Sequence, residues 1–172
     1  MQMPQMETER LIIRPTREAD CPACIDLWTA PEEGKYMLDP PRDKASEEYL
    51  SWGKDVEKEE AWYPMVVFHK ESGDFLGTCS VMKMEDDKRW DFGYSIKKKY
   101  WRQGYGTEML TKLIEAGKAE GATSFSANIA KENAASNALV KKIGFRVVKD
   151  DVVNRKSGTD IFYPEYQYRL DV

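Results

Sequence analysis

Tyr100-Trp101-Arg102-Gln103-Gly104-Tyr105-Gly106-Thr107 is the stretch on which the reading of this chain turns. Before it, Trp90-Asp91-Phe92-Gly93-Tyr94-Ser95-Ile96 has the character of a strand. After it, Met109, Leu110, Leu113, Ile114 and Gly117 recur at helical spacing. A strand, a turn with two glycines and a helix start gather backbone N–H groups at one point. The first helical turn leaves its donors unpaired, and the aligned peptide dipoles add partial positive charge there. Gly104 and Gly106 lack a Cβ, so the backbone can turn sharply and a phosphate can come close. Arg102 adds a cation, and the segment reads as a pyrophosphate cradle. A Gly-x-Gly before a helix also occurs where a loop only turns tightly. Two familiar phosphate loops fit poorly. Thr107-Glu108 stands where a Walker loop needs Lys-Ser/Thr, and Met109 where the dinucleotide fingerprint needs a third glycine.

The bulk numbers bound the rest. A chain of 172 residues suits a single domain spanning 1–172 with a real core. With 41% hydrophobic and 33% charged residues it is globular rather than disordered. A net charge of −4 supplies no basic field for nucleic acid. No apolar run is long enough for a bilayer and no signal-peptide pattern opens the chain, so no membrane partner and a cytoplasmic location are expected. Of three cysteines, Cys21 and Cys24 form a C-x-x-C, but the lone histidine is His69 and no second pair exists. No metal is expected. Asp20 and Pro22 mark a helix start there, which makes the pair two cysteines of a half-buried helix.

In order, Leu11 to Pro15 reads as a first strand, followed by a helix from about Asp20 to Trp28 and a loop from Pro31 to Pro41. Ser46 is a plausible N-cap for a second helix, whose acidic runs Glu47-Glu48 and Glu57 to Glu60 read as a solvated face. Tyr63 to Lys70 and Phe75 to Met84 form a hairpin around Glu71-Ser72-Gly73-Asp74. The strand before the cradle completes an antiparallel meander. The cradle helix ends near Glu120-Gly121. A strand at Ser124–Ile129, a helix from about Ala134 to Ile143 closed by Gly144-Phe145, and strands at Arg146–Val153 and Ile161–Leu170 follow. The expected class is α/β (α+β in layout): a mostly antiparallel mixed sheet flanked by about four helices, with one crossover after the cradle.

Several pieces together resemble one family. They are Thr8-Glu9-Arg10-Leu11-Ile12-Ile13-Arg14-Pro15, Gly93-Tyr94-Ser95-Ile96, the loop Trp101–Thr107, and Asn133-Ala134-Ala135-Ser136-Asn137 with Gly144-Phe145. In this order they look like the GNAT superfamily of N-acetyltransferases, most closely its ribosomal-protein N-terminal serine/alanine acetyltransferase-like branch, from about Glu7 to Leu170. The resemblance implies the GNAT acyl-CoA N-acyltransferase fold and acetyl-CoA as acetyl donor. Backbone amides of Arg102, Gln103, Gly104, Tyr105, Gly106 and Thr107 would hold the pyrophosphate. The main chain of Tyr94-Ser95-Ile96 would pair with the pantetheine arm, in a gap where this strand splays from Ser124–Ile129. Asn133 matches a cofactor-bonding side chain, and Ser136 would lie near the thioester sulfur. The chain departs from the pattern in three places. Trp101 replaces the loop's first Gln or Arg, Val140 stands where some members carry a tyrosine acid, and Asn128 where some carry a glutamate base.

The implied reaction is attack of a neutral amine on a thioester, with CoA leaving as thiolate. It needs a deprotonated amine, an oxyanion donor and a proton for the thiolate. The N–H of Ile96 could serve the oxyanion. Ser136 could serve the thiolate, or simply cap or line its helix. Asp91 shares a strand face with Gly93 and Ser95 and is the candidate base, the alternative being a surface carboxylate at a strand start. Neutralising a lysine-type amine of pKa about 10.4 at pH 7 costs roughly 4.6 kcal/mol, against about 1–1.4 for a peptide α-amine. A site with no strong base therefore suits α-amines. Trp28, Tyr36, Trp52 and Tyr163 are candidates to line the acceptor groove. Two other readings stand beside the protein N-terminal acceptor: a small-molecule (polyamine or antibiotic) acetyltransferase, and a non-catalytic acyl-CoA-binding regulatory module. A homodimer is compatible with each.

Overall fold

The computed structural model describes residues 3–39, 52–58 and 62–172. Eight strands form one sheet: β1 (Met6–Glu7), β2 (Leu11–Pro15), β3 (Trp62–His69), β4 (Phe75–Met84), β5 (Arg89–Ile96), β6 (Ser124–Ala130), β7 (Arg146–Arg155) and β8 (Phe162–Asp171). Their order is β1-β2-β3-β4-β5-β6-β8-β7. Helices α1 (Cys21–Thr29), α2 (Tyr105–Ala119) and α3 (Ala134–Ile143) flank it. Residues 52–55 are also helical and run into a 3-10 turn at Val56–Lys58. The expected N-cap Ser46 and the Glu47-Glu48 run lie outside the described residues.

Every strand pair is antiparallel among the described residues except β5 with β6, which the α2 crossover joins. Parallel strands need such a crossover, since a tight turn can only reverse the chain. The layers follow from the alternation of side chains. Trp90 and Phe92 of β5, Phe125 and Ala127 of β6 and Tyr168 of β8 share a buried core with Met109, Leu110 and Leu113 of α2. Those three residues keep to one stripe of the helix, as the i, i+1, i+4 spacing dictates.

Helix α1 covers the opposite face of the sheet through Cys24, Ile25 and Leu27, and its Trp28 donates its indole N–H to Thr78 on β4 (3.0 Å). Asp20 does not cap α1. Its carboxylate instead holds the Arg14 guanidinium (2.7 and 2.9 Å) and accepts from the Arg17 amide (2.8 Å). Cys21, Cys24 and Cys79 are buried free thiols. Burial pushes them up to about 11, 12 and 12, so none presents a thiolate near neutrality. No group of His, Cys, Asp and Glu among the described residues is arranged to hold a metal, and no described helix is long and apolar enough to cross a membrane.

Candidate active site

Strands β5 and β6 pair only at their beginnings, through Arg89–Ser124, Trp90–Phe125 and Asp91–Ser126. Beyond Asp91 neither strand bonds the other, and a wedge opens toward Ile96 and Ala130. The β4 register sets what faces it. The Lys97 amide donates to Leu76 O (2.8 Å), and Ser95 and Gly93 lie opposite Thr78 and Ser80. Because hydrogen-bonding direction alternates along an antiparallel strand, the main-chain groups of Tyr94 and Ile96 point away from β4, into the wedge. The Ile96 carbonyl is already occupied: the Trp101 indole N–H donates to it at 2.6 Å. Trp101, the departure from the loop pattern, thus ties the loop back to the strand, leaving the Ile96 N–H and both groups of Tyr94 as wedge-facing partners.

The cradle stands at the open end. Among the described residues, the amides of Arg102, Gln103, Gly104, Tyr105, Gly106 and Thr107 have no protein acceptor; the first bonded one is Glu108, to Gly104 O (3.1 Å). No side chain caps α2. Gly104 sits at φ +82° and Arg102 at φ +59°, so the turn winds through left-handed conformations that glycine adopts without strain. Gly106 has a different role from the one its spacing suggests. It is helical and buried, and a Cβ there would lie 2.5 Å from Leu139 Cδ1. Its small size lets α3 approach α2. Arg102 is exposed, and the cation against the loop is Arg10 from the β1–β2 turn. Its Nε donates to Glu108 Oε2 (2.7 Å), its Nη1 to Gln103 O (2.9 Å), and its guanidinium lies 4.2 Å from the Tyr105 ring centre. Glu108 also accepts from Thr8 Oγ1 (2.5 Å) and the Arg10 amide (2.9 Å). Burial alone would raise its pKa, but these donors outweigh it and hold the carboxyl below its usual range. The Thr8-Glu9-Arg10 segment is therefore a clamp on the loop. Sequence reading missed Arg10 and Glu108 because they lie 98 residues apart; an acid in the first turn of the helix was the one visible sign.

Across the wedge, Asn133 Oδ1 accepts from the Ser136 amide (3.2 Å) and caps α3, while its Nδ2 has no partner among the described residues. Asn137 is buried and saturated. Its Nδ2 donates to Ala130 O (2.9 Å) and Asn133 O (2.7 Å), and its Oδ1 accepts from the Tyr168 hydroxyl (2.6 Å). This residue joins the end of β6, the start of α3 and β8, and so fixes Asn133 and Ser136 at the wedge. Ser136 stands beside the Tyr94 hydroxyl, which is buried and has no hydrogen-bond partner among the described residues. Burial pushes that phenol up to about 12; the nearby serine hydroxyl acts the other way without reaching bonding geometry. Val140 is wholly inside the core.

The sheet face toward α1 is open along the wedge. Gly93 and Asn128 are exposed although their strands lie inside the sheet. Asp91, on the same face as Gly93, is not the surface carboxylate a strand start suggests. It accepts from Ser126 Oγ (2.5 Å), and burial raises its pKa against that bond and the pull of Arg89. Ser95 Oγ donates to Glu33 O (3.3 Å) at the other end of the face. Farther across, Glu165 is buried with Asn154 Nδ2 at 2.6 Å, and burial raises its pKa too. Tyr163 packs edge-on against Tyr36 and donates to Lys35 O (2.8 Å). Trp28 and Trp52 meet edge-on at 5.4 Å. A cleft of about 260 Å³ opens between Trp28, Pro31, Lys35 and Lys156.

Residues 10–146 match the family model for the acetyltransferase (GNAT) domain. The uncharacterized N-acetyltransferase p20 of Bacillus licheniformis is 26% identical over 84% of this chain and 83% of its own. Among solved structures, spermidine N-acetyltransferase from Vibrio cholerae in complex with CoA and spermine superposes with a TM-score of 0.79 (14% identity, 95% of this chain, 96% of that one). Ribosomal-protein-S5-alanine acetyltransferase from Vibrio fischeri gives 0.70 (16% identity, 98% and 97%). With four-fifths of its length inside the matched domain and the sheet that goes with it, this chain belongs to the GNAT family of acetyltransferases.

Proposed function

We propose that this acetyltransferase acetylates the α-amine of a protein or peptide N-terminus in the cytosol, by direct attack of the neutral amine on acetyl-CoA. The observation that carries the placement of the donor is the run of six unpaired amides at the mouth of the wedge. Free donors at a helix start are a ready seat for a diphosphate, and Arg10 lends positive charge at its flank. The wedge-facing groups of Tyr94 and the Ile96 N–H fit a peptide-like arm, which would lie as a missing strand between β5 and β6. The spare Nδ2 of Asn133 is available to the same arm.

On the acceptor side, Asp91 lies where β5 and β6 part, on the open face. Its raised pKa makes it a better proton acceptor than an ordinary carboxylate. Even so it remains a weak base beside a lysine amine, and an α-amine asks far less of it. The Ile96 N–H serves as donor to the developing oxyanion and the Ser136 hydroxyl as partner to the leaving sulfur. Lys35 and Lys156 at the cleft disfavour a polycation there. The structural neighbour named as a ribosomal-protein-S5-alanine acetyltransferase supports this class of acceptor.

A polyamine acceptor is the second reading, and Glu165 is the observation in its favour, since a buried carboxylate with no cation beside it among the described residues suits an ammonium group. The spermidine N-acetyltransferase among the neighbours points the same way. A panel of N-terminal peptides, lysine-blocked and unblocked, with spermidine and spermine, read by thiol release, decides between them. The expected result is kcat/KM at least about tenfold higher for α-amines. A reversed order overturns the N-terminal reading.

A further inference from the structure

Among the described residues two tyrosine hydroxyls, those of Tyr94 and Tyr100, are buried without a partner, and that of Tyr94 is the one beside Ser136. An unpaired buried hydroxyl destabilises a fold, and phenylalanine would fill the same space without that penalty. The group is held in place all the same. Tyr94 is paired with Cys79 of β4 beyond the point where β5 parts from β6, its ring packs against the core on the α2 side, and its oxygen ends beside Ser136. Ser136 in turn is fixed by the Asn133 cap and the saturated Asn137 beside it. Two hydroxyls from different elements, neither bonded to the other or to any described residue, thus converge on one point.

We propose that the Tyr94 hydroxyl is a second hydrogen-bond donor to the sulfur that leaves during acetyl transfer, acting beside Ser136. The proposal rests on the placement of the donor's arm in the wedge. In the step, the amine nitrogen bonds to the acyl carbon as the carbon–sulfur bond breaks, and the electron pair stays on sulfur. The amine's surplus proton passes to Asp91. Tyr94 and Ser136 stabilise the charge on sulfur by donation and keep their own protons, and the thiolate is protonated from solvent on release. A phenol pushed up to about 12 suits this role better than that of an acid, because it remains a donor through the whole neutral range.

Tyr94→Phe removes the oxygen alone. The expected result is a fall in kcat of roughly 100-fold, the low end for one preorganised donor, with KM for acetyl-CoA within about twofold. The Tm of the free protein stays level or rises, since the lost group has no partner there. Combined with Ser136→Ala, the loss is smaller than the product of the single losses, as for two donors on one atom. An unchanged kcat overturns the proposal, and so does a kcat that falls together with Tm, which makes the hydroxyl a structural one. Calorimetry of CoA on Gly104→Glu separates the premise from the proposal. Retained affinity removes the wedge placement and the proposal with it. Lost affinity alongside an unaffected Tyr94→Phe kcat removes only the role of Tyr94.

Discussion

Two helices begin at the wedge, and they begin in opposite ways. Helix α3 is closed at its start: Asn133 caps it, and Asn137 binds β6, α3 and Tyr168 with every polar atom in use. Helix α2 is left open, with no cap and six amides without acceptors among the described residues, yet its flank is clamped by Arg10 and Glu108. A closed start spends its donors on precision, and here it sets a serine hydroxyl in place. An open start keeps its donors for a ligand and must be held rigid from outside. The contrast separates groups that build the site from groups that await something in it.

The sharpest way to break the contrast is Gly104→Glu, which puts strain at φ +82° and a carboxylate among the open amides. CoA binding should vanish, a loss above about 1,000-fold by calorimetry; a modest loss would mean the amides are not the seat. Next in size is Asp91→Asn, for which kcat should fall by about 100-fold. Its sign in stability is opposite. The folded pKa of Asp91 lies above its unfolded value, so its contribution is full below the unfolded pKa and is lost as pH rises through the folded one. The variant should therefore melt higher than the parent at pH 8 and level with it in acid, while parental kcat/KM climbs with pH as Asp91 ionises. A variant that melts lower at pH 8 would make the carboxylate a structural anchor.

On the closed side, Asn137→Ala takes a side-chain donor from the Ala130 and Asn133 carbonyls and leaves the buried Tyr168 hydroxyl short of its acceptor. Urea unfolding should show a loss of about 2–3 kcal/mol. A loss under about 0.5 kcal/mol would show that α3 needs no such pin. The smallest effect is expected at the clamp. Arg10→Gln should raise KM for acetyl-CoA by about threefold to tenfold and leave kcat near its parental value; a matching fall in kcat would move Arg10 into the chemistry. Glu108, held below its usual range, contributes stability above the unfolded pKa that is lost as pH falls through the folded one. Glu108→Gln should accordingly narrow the difference in Tm between pH 7 and pH 4.

Local pattern made much of this legible. Strand β4 spans Phe75–Met84 and α3 spans Ala134–Ile143, the bounds that alternation and the Gly144 stop signal give. The two-residue β1 carries no period and went unseen. At the site, backbone roles could be read and side-chain roles largely could not. A strand, two glycines and a helix announce free amides, but the purpose of Gly106 depends on Leu139, over thirty residues away. Arg10 with Glu108, and Tyr94 with Ser136, meet only because the sheet brings distant segments together, and burial, which decides the state of Asp91, is a property of the packed molecule. The family resemblance supplied the positions of Asn133 and Ser136; it did not supply Asn137 as the pin that holds them.

The parting of β5 from β6 leaves two raw edges in the middle of a sheet, a flaw that folded proteins normally keep to their margins and disguise. An acetyl donor seated there, as proposed, would be a removable piece of secondary structure. Loading it should slow hydrogen–deuterium exchange at the Tyr94 and Ile96 amides more than anywhere else in β5, and starving the protein of it should expose a template for unwanted strand pairing. Supply of the donor would then govern how long the polypeptide survives as well as how fast it turns over.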